Sequence, residues 1–200
     1  MTRRIEFVAG NLPTEPTMAV ERHAAKGVVL NDDLQLLLLR SRHGDYKFPG
    51  GGIEADETLQ HALVRELAEE CGVTGVRIGE VLMRATERRP AREEGAMLTL
   101  INDYFHAEVP DEHGRTDAGL AAVVGMDGYE IDLQLTPEWI DVETALTINR
   151  SLLTSWTDDE VTARAPWLER ETGVLGEIGM WLSSKHAAPS SPAQAADHDS

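Results

Sequence analysis

The segment from Pro49 to Gly72 constrains the fold of this chain most, because it joins a glycine-rich loop directly to a helix. The loop, "FPGGGIEADE", holds one proline and three consecutive glycines. Without a Cβ, glycine lets a backbone amide or carbonyl approach a metal ion or a phosphate closely. The helix should run from about Thr58 to Cys71, with Gly72 as its stop signal.

The apolar and acidic residues of this helix fall on neighbouring arcs. The arc predicted to face a core consists of Leu63, Val64, Leu67, Ala68 and Cys71. Glu66, Glu69 and Glu70 share the other arc, near the helix C-terminus, where the helix dipole disfavours carboxylates. Glu66 and Glu70 also stand four residues apart, where like charges repel. A solvated acidic face would explain the cluster, and so would a site for Mg²⁺ or Mn²⁺, which take carboxylate ligands.

The rest of the chain predicts an α/β (α+β) fold with a mixed sheet. A turn at Asn31–Asp33 should join the first two strands as a hairpin. A long loop precedes the helix described above, and further helices follow. Strands are predicted at 24–30, 34–40, 76–85, 97–109 and 129–135, and helices at 58–71, 142–154 and 166–184.

Composition and charge narrow the functional class. The 200 residues are 42% hydrophobic and 26% charged, as in an ordinary soluble domain, and the longest apolar run, Leu36–Leu39, is too short to span a bilayer. The net charge of −17 argues against nucleic acid and anionic membranes as partners. The single cysteine, Cys71, and an N-terminus without an apolar signal segment predict a cytoplasmic protein.

The glycines also match a dinucleotide-binding pattern, G-x-G-x-x-A, from Gly50 to Ala55. That fingerprint must follow its strand directly, whereas the nearest predicted strand ends around Arg40. The dinucleotide interpretation is therefore rejected.

Taken together, Gly51–Val73 resembles the Nudix box, a motif of specified residues at fixed spacing. The chain supplies every specified position, namely Gly51, Glu57, Arg65, Glu66, Leu67, Glu69, Glu70, Gly72 and Val73. The flanking "FPGG" and "EWIDVETAL" (138–146) extend the resemblance to about 23–148.

The resemblance implies a Nudix-type αβα sandwich with extra C-terminal helices, and hydrolysis of a phosphoanhydride in a nucleoside diphosphate linked to another group, X. Glu66, Glu69 and Glu70 would bind Mg²⁺ or Mn²⁺ with a backbone carbonyl of Gly50 or Gly51. Arg65 and Glu66 would belong to the catalytic machinery, with Arg65 holding a glutamate in place. Glu57 would brace the loop, and Gly72 would be structural.

The residue that activates the attacking water is open, since Nudix members use either a box glutamate or one from a later loop. We favour Glu69 over the later candidates Glu130, Asp132 and Glu138. Positive residues near the box, Arg40, Arg42 and Lys47, are candidates to bind phosphates, and Phe48 and Asn149 are further substrate-binding candidates. Tyr104, Phe105 and Trp139 could stack on a base, although buried aromatic residues usually belong to a core.

The identity of X is open between a nucleoside triphosphate, ADP-ribose and a nucleotide sugar. Pro90 lies near a position where ADP-ribose hydrolases place a proline, which is a weak indication. We expect a Nudix domain over 1–155, a helical extension over 156–184 and a disordered tail over 185–200. The extension could pack on the sandwich, cap the substrate or form a homodimer contact.

Two other functions remain on the same fold. A catalytically weak Nudix domain could act as a nucleotide or ADP-ribose sensor, but such domains often have a degenerate box. Diphosphate isomerase chemistry would need a catalytic cysteine, whereas Cys71 is predicted to face the core.

Overall fold

A computed structural model describes residues 2–91, 93–109, 120 and 132–187 of the chain. The strands and helices are numbered in chain order. They are β1 (Arg3–Val8), β2 (Met18–Val29), β3 (Leu36–Arg40), β4 (Tyr46–Lys47), α1 (Leu59–Cys71), β5 (Arg77–Pro90), β6 (Ala96–Glu108), β7 (Thr136–Ile140), α2 (Val142–Ser155), α3 (Asp158–Arg164) and α4 (Leu168–Ala187).

The strands form two sheets. The larger sheet has the order β1-β5-β6-β2, in which β5 and β6 are antiparallel and the outer strands run parallel to their neighbours. In the smaller sheet β3 lies between β4 and β7 and is antiparallel to both. The glycine loop follows β4 and bonds to β2, so it lies where the two sheets meet.

Strand β3 shows why both faces of the sheets are covered. Leu37 and Leu39 pack in a core with residues of α1, whereas Leu36 and Leu38 pack in a second core with residues of α2 and α4. All four leucines are 0% exposed, as the continuous apolar run requires. This confirms the predicted α/β sandwich with a mixed sheet and added C-terminal helices.

The predicted turn at Asn31 is present, but the hairpin is not. The Oδ1 of Asn31 accepts hydrogen bonds from the backbone N–H groups of Asp33 and Gln35, at 3.0 and 2.9 Å. The strands on either side share only the bridge between Leu30 and Leu36 and then enter different sheets.

The strand predicted at 129–135 is wrong where it can be compared. Residues 129–131 lie outside the described part of the chain, and 132–135 are not strand. The strand, β7, begins at Thr136, because pairing with β3 there buries Pro137 and Trp139 on one face. Local alternation of apolar residues placed the prediction one segment too early.

Three elements had no sequence prediction, namely β1, β4 and α3. They are short or edge elements with weak periodicity, and α3 begins at a capping box formed by Thr157 and Glu160. Helix α4 includes Lys185–Ala187, which were predicted as tail, and the remaining tail residues lie outside the described structure. No helix among the described residues combines the length and the apolar character that crossing a bilayer requires.

Candidate active site

Helix α1 is rotated toward its glutamates relative to the predicted packing face. Leu63, Leu67 and Cys71 are buried as predicted, but Val64 is 37% exposed and the prediction that it faces the core is wrong. Ala62 and Glu70, which lie on the opposite side of the predicted apolar arc from Val64, are buried instead. Glu70 and Glu66 therefore face the glycine loop, whereas Glu69 stays partly exposed to solvent.

Glu70 is the most buried of the three glutamates, at 1% exposed. Its Oε2 accepts a hydrogen bond of 2.5 Å from the backbone N–H of Gly50. Its Oε1 has no hydrogen-bond partner among the described residues and lies 3.7 Å from the Nζ of Lys47. A buried carboxylate oxygen in this condition is a costly feature that a bound cation would relieve.

Arg65 ties the loop to the helix. Its Nε and Nη2 donate to the two carboxylate oxygens of Glu57, each at 3.1 Å. Its Nη1 donates to Glu66 at 2.9 Å and to Glu69 at 3.2 Å, and its Nη2 also reaches the carbonyl of Gly52 at 3.3 Å. One guanidinium thus orients three carboxylates and one loop carbonyl, which its planar fork of donors allows.

The glycine loop is held against β2 by backbone hydrogen bonds. The N–H of Gly27 donates to the carbonyl of Pro49 at 2.9 Å, and that of Ala25 donates to the carbonyl of Gly51 at 3.0 Å. Gly50 has a φ of +118°, and a Cβ there would run into the carbonyl of Ala25. Only glycine fits at this position without strain.

Lys26 lies under the loop and was not singled out from the sequence. It is 7% exposed, and its Nζ donates to the carbonyl of Gly50 and, at 3.4 Å, to that of Phe48. Burial and the nearby Lys47 ammonium lower the pKa of Lys26 to about 8. The available sign was a lysine inside the otherwise uncharged strand segment "AAKGVV".

The donor set fits a hard divalent cation. Glu70 offers an oxygen with no hydrogen-bond partner among the described residues, and the Gly50 carbonyl, which accepts from Lys26, belongs to the residue whose N–H bonds to Glu70. Glu66 and Glu69 each use one oxygen on Arg65 and retain a second. Among the described residues, no three histidine, cysteine, aspartate or glutamate side chains already converge as a metal cluster. Binding would therefore require Glu66 and Glu69 to direct their second oxygens toward the ion.

The predicted phosphate-binding residues separate into two groups. Lys47 is 9% exposed and lies between Glu70 and the ring of Trp167, 5.5 Å from the ring centre. Arg40, by contrast, is the exposed last residue of β3, and the Arg42 side chain bonds to His43. Only Lys47 is brought next to the box glutamates.

Phe48 and Asn149 are placed in the interior. Phe48 is 0% exposed and packs edge-on against Tyr104, with the ring centres 5.3 Å apart. Asn149 is also 0% exposed, and its amide bonds to both the N–H and the carbonyl of Tyr46, each at 2.9 Å. In this arrangement Phe48 fills the core and Asn149 anchors β4. Tyr104, Phe105 and Trp139 are likewise buried in the two cores.

The later acidic candidates do not approach the box through any contact in the described residues. Glu138 accepts a hydrogen bond of 2.5 Å from the hydroxyl of Tyr46, and Asp132 is exposed. Glu130 lies outside the described residues.

Cys71 is 0% exposed in the α1 core, and burial raises the pKa of its thiol, so it faces the core as predicted.

A cavity of about 1000 Å³ opens along the β2 side of the larger sheet. Its walls include the apolar side chains of Val20 and Leu100 and the charged side chains of Arg22 and Arg89. Trp167 also lines this cavity, and its ring lies 5.5 Å from the Nζ of Lys47, whereas no box glutamate is among the lining residues.

Comparison with known proteins finds one family model that the sequence of this chain matches. Residues 21–156 match the model of the NUDIX domain, which is more than half of the chain. Nudix hydrolase 12, mitochondrial, of Arabidopsis thaliana is 41% identical over 72 residues, or 35% of this chain and 35% of that protein. RNA pyrophosphohydrolase of Halorhodospira halophila is 49% identical over 47 residues, or 23% of this chain and 26% of that protein. The chain thus spans about a third and about a quarter of the length of these two relatives.

Solved structures resemble the chain more distantly. The E. coli ORF135 protein is 23% identical, with a TM-score of 0.46, and the match covers 90% of this chain and 100% of that one. The MutT protein from Methanosarcina mazei Go1 is 18% identical, with a TM-score of 0.45 and coverage of 67% and 83%.

Proposed function

This chain belongs to the Nudix family, and on that premise we propose that it is a metal-dependent pyrophosphohydrolase. It would cleave a phosphoanhydride bond in a nucleoside diphosphate linked to another group, by in-line attack of water on one phosphorus. The observation that supports this most is the buried Glu70, whose Oε2 bonds to the glycine loop and whose Oε1 has no hydrogen-bond partner among the described residues, while Arg65 orients the other box glutamates.

Mg²⁺ or Mn²⁺ would be held by carboxylate oxygens of Glu66, Glu69 and Glu70 together with the carbonyl of Gly50. When bound, such an ion neutralises charge on the phosphate oxygens and makes a coordinated water more acidic. It would also offset the repulsion among the glutamates and their unfavourable position at the helix end.

The protein side chains orient the metal ligands and accept the proton of the attacking water. Arg65 fixes the orientation of Glu66 and Glu69, and Glu57 fixes Arg65 through two hydrogen bonds. Among the three acidic ligands Glu69 is the most exposed, at 39% of its side chain against 12% for Glu66 and 1% for Glu70. We therefore retain Glu69 as the residue that takes the proton from the attacking water, because it can pass that proton to solvent.

An anionic substrate must overcome the net charge of −17 of the chain. Local positive charge near the glycine loop comes from Lys26 and Lys47, and Arg22 and Arg89 line the cavity that Trp167 also lines. We propose that the diphosphate lies near the lysines and that part of the nucleotide or of X occupies the cavity, whose apolar walls suit a flat ring.

The test is phosphate release, in Mg²⁺ and in Mn²⁺, over a panel of diphosphate compounds with a coupled phosphatase. The panel holds ADP-ribose, nucleotide sugars, dinucleoside polyphosphates, and normal and oxidised nucleoside triphosphates. Because one relative is named an RNA pyrophosphohydrolase, it also holds a 5′-triphosphorylated RNA oligonucleotide. We expect one substrate to be hydrolysed well above the others and EDTA to abolish its hydrolysis.

A matched pair of variants controls the test. Glu70→Gln keeps the shape of the side chain but removes its charge, and should lower turnover by at least about 100-fold while the protein stays folded. Glu6→Gln removes an exposed carboxylate on β1, 69% accessible, and should leave turnover unchanged. Full activity of Glu70→Gln would overturn the metal assignment, and a silent panel from folded, metal-binding protein would favour the sensor function.

A further inference from the structure

Helix α4 lies outside the residues that match the family model, which end at 156, yet it carries a buried polar cluster at its start. Arg170, Glu171 and Thr172 are 7%, 0% and 8% exposed, and Trp167, just before the helix, is 8% exposed. Charged residues are rarely buried this fully unless they are paired. Their partners therefore indicate what the cluster does.

Glu171 bonds to the strand that leads into the glycine loop. Its Oε2 accepts a hydrogen bond of 2.9 Å from the backbone N–H of Phe48. Its Oε1 accepts from the hydroxyl of Tyr104 at 3.0 Å and from the Nε of Arg170 at 3.1 Å. Both oxygens of this carboxylate are thus engaged, and one of them holds the main chain two residues before Gly50.

Arg170 compensates the charge of Glu171 and continues the cluster to the larger sheet. Its Nη2 lies 3.0 Å from Glu171, and its Nη1 forms an ion pair with Glu87 of β5. Glu87 is 2% exposed, and among the described residues its carboxylate makes no bond to the loop. The same buried cluster thus contains one carboxylate that contacts the loop and one that does not.

A second contact from the same extension holds the other end of this strand. The Nε1 of Trp167 donates to the Oδ2 of Asp45 at 2.8 Å, and Asp45, which is 0% exposed, also accepts from the hydroxyl of Ser41. The stretch from Asp45 to Phe48 is therefore fixed at both ends by the C-terminal extension.

We infer that Glu171 is a positioning residue for the candidate active site. By holding the N–H of Phe48, it sets the place of Gly50, whose N–H bonds to Glu70 and whose carbonyl is a proposed metal ligand. Residues that orient the ligands of a metal ion commonly support its binding, and their loss weakens metal affinity about 10-fold to 100-fold. The inference rests on the proposed function for the role of the loop in metal binding and catalysis, whereas the contact between Glu171 and Phe48 does not depend on that function.

The experiment compares Glu171→Gln with Glu87→Gln in the full chain. Both variants remove one buried carboxylate from Arg170, but only the first weakens the acceptor of the Phe48 N–H. Three quantities are measured, namely the melting temperature, the affinity for Mn²⁺ by electron paramagnetic resonance, and the amide exchange rate of Phe48 and Gly50.

We expect Glu171→Gln to weaken Mn²⁺ binding about tenfold and to speed amide exchange at Phe48 by about tenfold. Glu87→Gln should lower the melting temperature without changing Mn²⁺ affinity more than about twofold. With an active substrate, Glu171→Gln should lower kcat more than it changes KM. Equal effects of the two variants on Mn²⁺ affinity and on Phe48 exchange would show a purely structural cluster and overturn the inference.

Two further arms keep the outcome decisive. If Glu171→Gln does not fold, Glu171→Asp retains the charge beside Arg170 but retracts the acceptor, and should still speed exchange at Phe48; wild-type exchange in that variant would overturn the inference. If the wild-type chain hydrolyses nothing in the panel, the proposed function fails, whereas Mn²⁺ affinity and amide exchange still decide the role of Glu171.

Discussion

The three consecutive glycines of the loop should respond very differently to alanine, and Gly51→Ala is the informative change. A Cβ on Gly51 would lie 2.7 Å from the Cδ of Glu66 and closer still to its Oε1, whereas ordinary contact begins at 3.4 Å. The carboxylate of Glu66 must therefore move by roughly 1 Å, which the end of a side chain can do. That movement breaks the 2.9 Å hydrogen bond from Arg65 to Glu66.

The two consequences of this movement differ in size. Because the Arg65 and Glu66 side chains remain 26% and 12% exposed, losing their pairing should lower the free energy of unfolding by only about 1 kcal/mol. A misplacement of about 1 Å in a catalytic group, however, lowers turnover by about 100-fold. Gly51→Ala should thus be a folded protein with poor activity.

The neighbouring glycines are the controls. Gly52→Ala places its Cβ no closer than 3.9 Å to the carbonyl oxygen of His23 and should be near neutral in both stability and activity. Gly50→Ala combines a φ of +118° with a backbone clash at Ala25, and should lose roughly 3 kcal/mol of stability. Chemical denaturation and kcat/KM on the same preparations measure both effects. Wild-type turnover in Gly51→Ala, or an equal loss of activity in Gly52→Ala, would show that the close approach of Gly51 to Glu66 does not control catalysis.

Three further changes have definite expectations. Arg65→Lys replaces a planar fork by a single ammonium, so activity should fall about 10-fold to 100-fold with under about 1 kcal/mol of lost stability, as kinetics and denaturation on one sample will show. Burial and the hydrogen bond to Glu138 raise the pKa of Tyr46 from 10.0 to about 12. Between pH 10 and 12 the folded state keeps a proton that the unfolded state loses, so the free energy of unfolding should decline as pH rises through this range. Tyr46→Phe should reduce this decline, measured by urea titrations at each pH. An unchanged decline would contradict the assignment. Leu67 is 0% exposed, so Leu67→Ala should lower the free energy of unfolding by about 2–5 kcal/mol. Val64 is 37% exposed, so Val64→Ala should lower it by under about 1 kcal/mol. Similar losses in the two variants would show that α1 packs through the predicted apolar arc.

Local spacing was sufficient to predict the box and its helix. The positions of Glu57, Arg65 and the glutamates follow from fixed intervals within one loop and helix, and Arg65 does bond to Glu57, Glu66 and Glu69. The face of the helix that packs was less predictable. An apolar count favours Val64 over Glu70, but the packed loop draws Glu70 inward through the N–H of Gly50.

Contacts between distant segments could not be predicted from the chain. Glu171 lies 123 residues from Phe48, and no spacing rule connects a glutamate in a late helix with one amide in an early strand. Asn149 is a second example. Its location in the helix after β7 led to the prediction that it binds substrate, whereas its side-chain amide bonds to the main chain of Tyr46, 103 residues away. The edge strand β1 also depends on a distant partner, because its pairing with β5 is what makes it a strand.

The proposed metal site is tested directly by the position of Mn²⁺ in a crystal of the full chain, located by anomalous scattering. We predict a manganese peak within about 2.3 Å of the Oε1 of Glu70, with the carbonyl of Gly50 in the same coordination sphere. A peak elsewhere, with Lys26 still bonded to that carbonyl and Oε1 still without a ligand, would contradict it.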